Sequence, residues 1–256
     1  MIEDYDRTKK YELLDRVGFK KFFKAEKWAD YNRQFFDGLA SKYDLVCEFL
    51  SFGRHSHFKE QAIRNVGIGP GAKVLDLCTG TGGIATLIAR NVPSAQVTGV
   101  DVSEKMLEIA RRRGAGLPNL KFEKADVLSL PFQDRTFDVV FTSFGLRNLD
   151  DMEKGILEMK RVTKSGGRIT SLDLGKPKGV FLNFIYYIYF LHIVPFLGAV
   201  FFHHHEANSF YYLTESGKYF PRQEKLVEIF KSFELREVKN YDFMLGAVAQ
   251  QVGIVP

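Results

Sequence analysis

The chain has 256 residues and a mass of 29.3 kDa, enough for one large domain with a substantial buried core. Hydrophobic residues make up 45% and charged residues 26%, so the composition excludes disordered and fibrous proteins. The two cysteines cannot form a disulfide framework, and no Cys/His spacing is typical of a zinc site. The net charge of +5 permits an anionic partner but does not require one.

The N-terminal region is charged and lacks the apolar core of a secretory signal, so we expect a cytoplasmic protein. Residues 1–34 combine aromatic side chains with lysines and are interpreted as a helical extension that precedes the main domain at 35–256. This extension either packs on the body of the protein or touches a membrane through one apolar face.

From Gly67 onward, short apolar runs alternate with helical patterns. The predicted strands are 73–78, 96–101, 121–126, 137–143, one starting at Gly166, 233–239 and 242–250, the last two joined by a turn at Asn240-Tyr241. The predicted helices are 84–90, 103–113 with Ser103 as N-cap, 151–162 and 222–231. Strands separated by helices in this rhythm predict an α/β fold, in which helices cover both faces of a parallel sheet.

One segment interrupts this alternation. Residues 179–202 are nearly uncharged and rich in aromatic side chains, and their length alone would admit a transmembrane span. Asn183, His192 and Pro195 interrupt the apolar run. We therefore interpret the segment as part of an aromatic helical lid, inserted at about 176–221, that covers the active site and either stays within the protein or also touches a membrane surface.

The glycine-rich run DLCTGTGG at residues 76–83 follows the first predicted strand. Glycines let the backbone approach a ligand closely, and the next helix presents free N–H groups, although dinucleotide-binding enzymes also use such a turn. Asp76 would repel a pyrophosphate but tolerate a cationic amino-acid cofactor. Asp101 ends the second strand, where it could accept ribose hydroxyls, and Asp126 follows the third, where it could meet an adenine amino group.

Together these residues resemble class I S-adenosylmethionine-dependent methyltransferases, and more narrowly the C-methyltransferases of ubiquinone and menaquinone biosynthesis. The narrower resemblance is carried by ASKYD at 40–44, LSFGRH at 50–55, LPFQDRTFD at 130–138, SFGLRNLDD at 143–151, YLxxS at 212–216 and FP at 220–221. It covers about residues 35–253. It implies a Rossmann-like, seven-stranded sheet with helices on both faces, and S-adenosylmethionine as the cofactor.

The resemblance also implies a set of site residues. The expected cofactor contacts are Asp76, Thr79, Gly80, Thr81, Gly82, Asp101, Val102, Asp126, Val127 and Ser143. The implied substrate is a polyprenylated quinol or another small apolar phenol, whose ring carbon becomes nucleophilic when a neighbouring hydroxyl ionises. The expected catalytic residues are Arg147 and Asn148, with His55 as proton acceptor and Tyr43 beside the ring or the cofactor. The arginine would stabilise a phenolate.

Each role has a structural alternative. The acids in the glycine turn and at the strand end could simply cap helices, and His55 and Tyr43 could be packed side chains. Arg147 could pair with Asp150 or Asp151. Cys78 is interpreted as a small packing residue, and the histidines at 203–205 as a solvated loop rather than a metal site.

Four positions depart from the family's pattern: Cys47 replaces an asparagine, Ser56 an arginine, Phe58 a tryptophan and Gln251 a histidine. We expect these positions to flank the substrate or cofactor entrance, so the acceptor is a quinol or another small apolar metabolite. An RNA substrate is disfavoured, because SFGL at 143–146 stands where base-methylating enzymes have an Asn-Pro-Pro-Tyr-like tetrapeptide. We expect no nucleic-acid partner.

Overall fold

In the computed structural model, the chain is described at residues 28–194, 196, 217 and 220–256. Most of the predicted N-terminal extension and the histidines at 203–205 lie outside this part of the chain. So do residues 212–216, which contribute to the family resemblance.

Eight helices in the described part of the chain flank a single sheet. The helices are α1 (Trp28–Leu39), α2 (Tyr43–Leu50), α3 (His55–Val66), α4 (Gly83–Asn91), α5 (Glu104–Arg113), α6 (Met152–Val162), α7 (Val180–Ile188) and α8 (Gln223–Ser232). The strands are β1 (Lys73–Leu77), β2 (Gln96–Asp101), β3 (Leu120–Lys124), β4 (Phe137–Ser143), β5 (Thr163–Leu174), β6 (Arg236–Phe243) and β7 (Val248–Ile254).

The sheet has seven strands in the order β3-β2-β1-β4-β5-β7-β6. The first five are parallel, and β7 runs antiparallel between β5 and β6. The strand order reverses between β1 and β4, and such a switch point opens a crevice at the carboxyl ends of the strands. The predicted seven-stranded α/β sheet is confirmed.

Two hydrophobic cores lie on opposite faces of this sheet, because successive strand residues point to opposite sides. Val74 belongs to the core that contains buried side chains of α3 and α4. Leu75 belongs to the core that contains buried side chains of α6 and α8. Burial on both faces explains why the central strands appear in the sequence as short continuous apolar runs.

Two predicted strand boundaries are wrong. β5 begins at Thr163 rather than at Gly166. Asn240 and Tyr241 do not form a turn; they lie within β6 and pair with Gln251 and Gln250 of β7. The turn follows at 244–246, where Met244, Leu245 and Gly246 have φ of 45°, 56° and 93°. β6 is a partly exposed edge strand, so its polar residues resemble those of a turn.

The aromatic segment is described as far as residue 194. It forms α7, followed by a π-helical turn over Tyr189–Ile193 whose Tyr189 hydroxyl donates a hydrogen bond to the Leu50 carbonyl. Several apolar side chains here are exposed: Val180, Phe181, Leu182, Phe184, Ile185, Ile188 and Ile193. Among the described residues, no helix has both the length and the apolar character needed to cross a membrane.

Candidate active site at the carboxyl edge of the sheet

A cavity of about 500 Å³ opens at the carboxyl ends of β1, β2 and β4, and we call it the cofactor cavity. Its volume is within the range of small-molecule sites. Of the predicted cofactor and catalytic residues, it is lined by Tyr43, Gly80, Asp101, Val102, Asp126, Val127, Ser143 and Asn148. Six of the ten predicted cofactor contacts, which come from distant parts of the sequence, therefore line one cavity.

Asp101 closes the glycine turn over the end of β2. Its carboxylate accepts hydrogen bonds from the backbone N–H groups of Gly80 and Ser103, both at 2.9 Å. Burial raises the pKa of Asp101, although these hydrogen bonds favour the charged form. Ser103 caps α5 as predicted, since its hydroxyl accepts from the Met106 N–H at 3.1 Å. Asp126 accepts from the Leu128 N–H at 2.8 Å.

A smaller chamber of about 20 Å³ lies beneath the glycine turn. It is lined by Tyr43, His55, Lys59, Asp76, Cys78, Thr79, Gly80, Thr81, Gly83, Ile84, Ser143 and Phe144. Asp76 is buried, and its carboxylate accepts from the Thr79 hydroxyl at 2.6 Å and the Ala85 N–H at 3.2 Å. Burial raises the pKa of Asp76 to about 7. Asp76 thus supports the start of α4 while it faces the chamber.

The two glycines predicted as cofactor contacts differ in role. Gly80 has φ of +54° and lines the cofactor cavity. Gly82 has φ of +77°, and a Cβ there would lie 2.9 Å from the Ala110 Cβ and 2.8 Å from the Phe122 ring. Gly82 therefore allows the turn to pack against α5 and β3, and it lines neither the cofactor cavity nor the chamber.

Strained backbone marks the ends of β1 and β4. Cys78 and Phe144 adopt left-handed φ of 52° and 56°, which non-glycine residues rarely do. A Cβ on Gly145 would lie 2.6 Å from the Cβ of Cys78, so the two strand ends meet closely. Burial raises the pKa of the Cys78 thiol, and the side chain fits the packing role predicted for it.

Two acidic side chains attach the helices α1 and α2 to residues around the cofactor cavity. On α1, Asp37 accepts a hydrogen bond from the Ser103 hydroxyl. On α2, Asp44 pairs with Arg113 and accepts from the Thr81 hydroxyl at 3.0 Å. Burial alone would raise the pKa of Asp44, but Arg113 outweighs it and the pKa is lowered. Thr81, predicted as a cofactor contact, thus also links α2 to the glycine turn.

The residues of the cofactor cavity fit a nucleoside with a cationic amino-acid end. The Ser143 Oγ is buried and has no hydrogen-bond partner within the described structure, so it is available to a ligand. Three acids, Asp76, Asp101 and Asp126, line this cavity and its chamber and would repel a pyrophosphate.

A second cavity of about 300 Å³ lies between α1, α2, α7 and the 244–248 turn, and we call it the apolar cavity. Phe36, Tyr43 and Phe144 line both this cavity and the cofactor cavity. The two ligand spaces are therefore neighbours that share an aromatic wall. Three of the four predicted catalytic residues line the apolar cavity: Tyr43, His55 and Arg147.

Arg147 is buried and held by an acid that sequence reasoning did not single out. Its guanidinium donates to Asp173 on β5 at 2.5 Å and to the Phe144 carbonyl at 3.0 Å. Structural pairing of Arg147 therefore exists, and it fixes the guanidinium at the wall of the apolar cavity. Asn148 lines the cofactor cavity and not the apolar cavity. Its side-chain amide donates to the same Phe144 carbonyl as Arg147 does.

His55 and Tyr43 face both the apolar cavity and the chamber. The His55 ring lies 5.1 Å from the Phe144 ring, and its buried Nε2 has no hydrogen-bond partner in the described part of the chain. Burial and the nearby Lys59 lower the pKa of His55 to about 3, so the ring is neutral. Burial raises the pKa of Tyr43, whose hydroxyl interacts with Cys47.

The four departures from the family pattern do not all lie at an entrance, contrary to expectation, and Phe58 lines the apolar cavity. Cys47 lines the apolar cavity. Ser56 is exposed, and its N–H donates to Glu48 at 2.9 Å. Gln251 is buried in β7 and donates to Asn240 at 2.8 Å. Among the departures, only Cys47 and Phe58 therefore line a candidate ligand space, while Ser56 and Gln251 serve local hydrogen bonding.

Comparison with known proteins identifies the family. The model of the ubiE/COQ5 methyltransferase family matches residues 24–255. The chain belongs to this family. A demethylmenaquinone methyltransferase of Desulfitobacterium hafniense (strain Y51) is 35% identical over 238 residues, covering 91% of this chain and 93% of the relative. A demethylmenaquinone methyltransferase of Bacillus cytotoxicus is 33% identical over 224 residues, covering 86% and 94%.

Solved structures support the fold of this methyltransferase. A SAM-dependent methyltransferase from Aquifex aeolicus is 19% identical with a TM-score of 0.57, covering 77% of this chain and 89% of that chain. Phosphoethanolamine N-methyltransferase 2 from Haemonchus contortus, in complex with S-adenosyl-L-methionine, is 18% identical with a TM-score of 0.62, covering 87% and 60%. The present enzyme is an S-adenosylmethionine-dependent methyltransferase.

Proposed function

We propose that this methyltransferase methylates a ring carbon of a polyprenylated quinol, with demethylmenaquinol as the first candidate. The observation that carries the proposal is that Phe36, Tyr43 and Phe144 line both an apolar cavity and the cofactor cavity, so the two ligand spaces adjoin. An apolar ring can thus lie against a methyl donor. The curated relatives from Desulfitobacterium and Bacillus are both named demethylmenaquinone methyltransferases.

We assign the cofactor to the 500 Å³ cavity. Asp101 would receive the ribose hydroxyls, Asp126 and Val127 the adenine, and Ser143 a polar group near the methyl donor. S-Adenosylmethionine supplies a methyl group that is already activated by its sulfonium. The chain then contributes mainly alignment, because Tyr43 and Phe144 hold the two ligand spaces in contact and exclude water.

The apolar cavity offers two polar groups to a phenolic hydroxyl. The buried Arg147 guanidinium would favour the phenolate form, which makes the neighbouring ring carbon nucleophilic. The His55 Nε2 would hydrogen-bond the hydroxyl and orient the ring. Because the pKa of His55 is lowered to about 3, we assign it this orienting role rather than that of the final proton carrier.

Membrane contact is a further part of the proposal. Four exposed side chains also line the apolar cavity: Phe52, Leu182, Ile185 and Leu245. The apolar cavity therefore presents exposed apolar side chains at its wall. A polyprenyl chain could pass from a bilayer into the cavity without crossing water, so we propose peripheral contact at these side chains.

The deciding experiment is methyl transfer from labelled S-adenosylmethionine to demethylmenaquinol and to a benzoquinol acceptor. We expect label on the naphthoquinol ring, with weaker or no transfer to the benzoquinol. Label on the benzoquinol alone would correct the ring class. If the enzyme binds the cofactor but labels neither quinol, the acceptor is another small apolar phenol, and Cys47 in the apolar cavity is the first residue to examine.

A further inference from the structure

Lys59 is a buried cation without an acidic partner. It lies on α3 with 8% of its surface exposed and lines the chamber beneath the glycine turn. Within the described structure, no carboxylate oxygen lies within 4.0 Å of its Nζ. A buried ammonium without a contacting carboxylate loses hydration, and the attraction of the more distant Asp44 and Asp76 does not make up for that loss. Burial accordingly lowers the pKa of Lys59.

The Nζ of Lys59 is directed at the N-terminus of α4. A Cβ built on Gly83, the first residue of this nine-residue helix, would lie 2.7 Å from the Nζ. Gly83, Ile84 and Thr81 line the same chamber. The first N–H groups of a helix have no intrahelical acceptor and carry partial positive charge. Lysine and helix N-terminus together favour an anion in the chamber.

Asp76 places a carboxylate in the same chamber. A neighbouring anion and cation complement an α-amino acid, which carries both a carboxylate and an ammonium. The chamber volume of about 20 Å³ suits only one small group. It shares Tyr43, Gly80 and Ser143 with the cofactor cavity, so it admits the end of a ligand whose body fills the larger space.

We propose that Lys59, with the N-terminus of α4, binds the α-carboxylate of the cofactor's amino-acid end. The cofactor's carboxylate would then be the counter-ion that Lys59 lacks, while Asp76 faces the ammonium. This assignment rests on the cofactor site proposed above. The sequence analysis assigns Lys59 no role, although its i, i+4 spacing from His55 places both side chains on one helix face.

The test compares two ligands that differ only in this carboxylate, S-adenosylhomocysteine and its decarboxylated analogue, by isothermal titration calorimetry. Lys59→Met should weaken S-adenosylhomocysteine binding by about 10-fold to 100-fold, the worth of a charge-assisted contact. It should change binding of the decarboxylated analogue by less than about threefold. Lys59→Arg should retain most of the affinity. The matched control is Lys164→Met, because Lys164 pairs with Asp138 and lines neither cavity.

Equal losses for both ligands would show that Lys59 only supports the fold, and unchanged affinities would show that it contacts no cofactor; either result overturns the inference. The wild-type enzyme provides a test that needs no variant to fold. It should bind S-adenosylhomocysteine at least about tenfold more tightly than the decarboxylated analogue, and equal affinities overturn the inference while the cofactor site stands. A wild-type enzyme that binds neither ligand overturns both.

Discussion

Two buried ionisable side chains, Arg147 and His55, differ in charge at the scale of single residues. Arg147 is paired with Asp173, and both side chains are buried. His55 is buried in its neutral form beside Phe144. Arg147 therefore places a positive charge at the wall of the apolar cavity, whereas the His55 ring is uncharged there.

Arg147→Ala should destabilise the fold as well as abolish turnover. It leaves Asp173 buried without its partner, which costs about 3–5 kcal/mol in the free energy of unfolding, measurable in urea. Arg147→Met combined with Asp173→Asn removes both charges and should recover at least half of that loss. If this double variant also turns over at the wild-type rate, Arg147 is structural only.

His55 should make folding sensitive to acid. The folded pKa of about 3 lies below the unfolded value near 6.5, so between these values the unfolded state binds more protons. Stability therefore falls as pH falls from about 6.5 to about 3, by up to about 1.4 kcal/mol per pH unit. Asp76 acts in the opposite direction between about pH 4 and 7, because its folded pKa is raised to about 7.

The His55 contribution is isolated by subtracting the stability of His55→Gln from that of the wild type across this pH range. The difference should shrink toward low pH. The control is His57→Gln on the exposed face of the same helix. A difference that stays constant with pH would contradict a buried neutral His55.

At the scale of elements, α1 and α2 contribute residues to the cofactor cavity and are attached to it through polar contacts of two acids. Asp37 reaches Ser103 at the start of α5, and Asp44 reaches Thr81 and Arg113. Phe36 and Tyr43, on the same segment, line both cavities. Movement of these two helices would therefore open both ligand spaces together.

Asp44→Asn should loosen this attachment. Loss of the ion pair with Arg113 should speed amide hydrogen exchange over residues 43–50 by about fivefold, which corresponds to about 1 kcal/mol for a partly exposed pair. Glu104→Gln breaks an exposed pair with Arg111 and serves as the control. Unchanged exchange over α2 in Asp44→Asn would show that apolar contacts alone hold this helix.

At the scale of the whole molecule, the described residues include exposed apolar side chains that line the apolar cavity and others that continue along α7. Those that line the cavity come from three separate stretches of the chain, represented by Phe52, Ile185 and Leu245. An apolar patch of this kind marks an interaction surface, and its position matches the route by which an apolar substrate would enter.

Flotation with liposomes tests this surface. The wild-type protein should float with the vesicles, and Phe52→Ser with Leu245→Ser should lower the partition coefficient by at least about tenfold, because each apolar side chain buried in lipid contributes about 2 kcal/mol. Leu157→Ser is the matched control, since Leu157 is also exposed but does not line the cavity. Wild-type protein that stays with the unbound fraction would contradict membrane contact.

The sequence by itself determined the α/β fold, the glycine turn and the acids at the strand ends. These features are local, because each depends on the periodicity or on the backbone conformation of a few neighbouring residues. Only the tertiary structure decided which distant residues meet. Arg147 contacts Asp173, Asp44 contacts Arg113, and the Nζ of Lys59 lies at the start of α4. These contacts form when helices and strands pack against one another. They join residues that are far apart in the sequence, so no motif spacing predicts them.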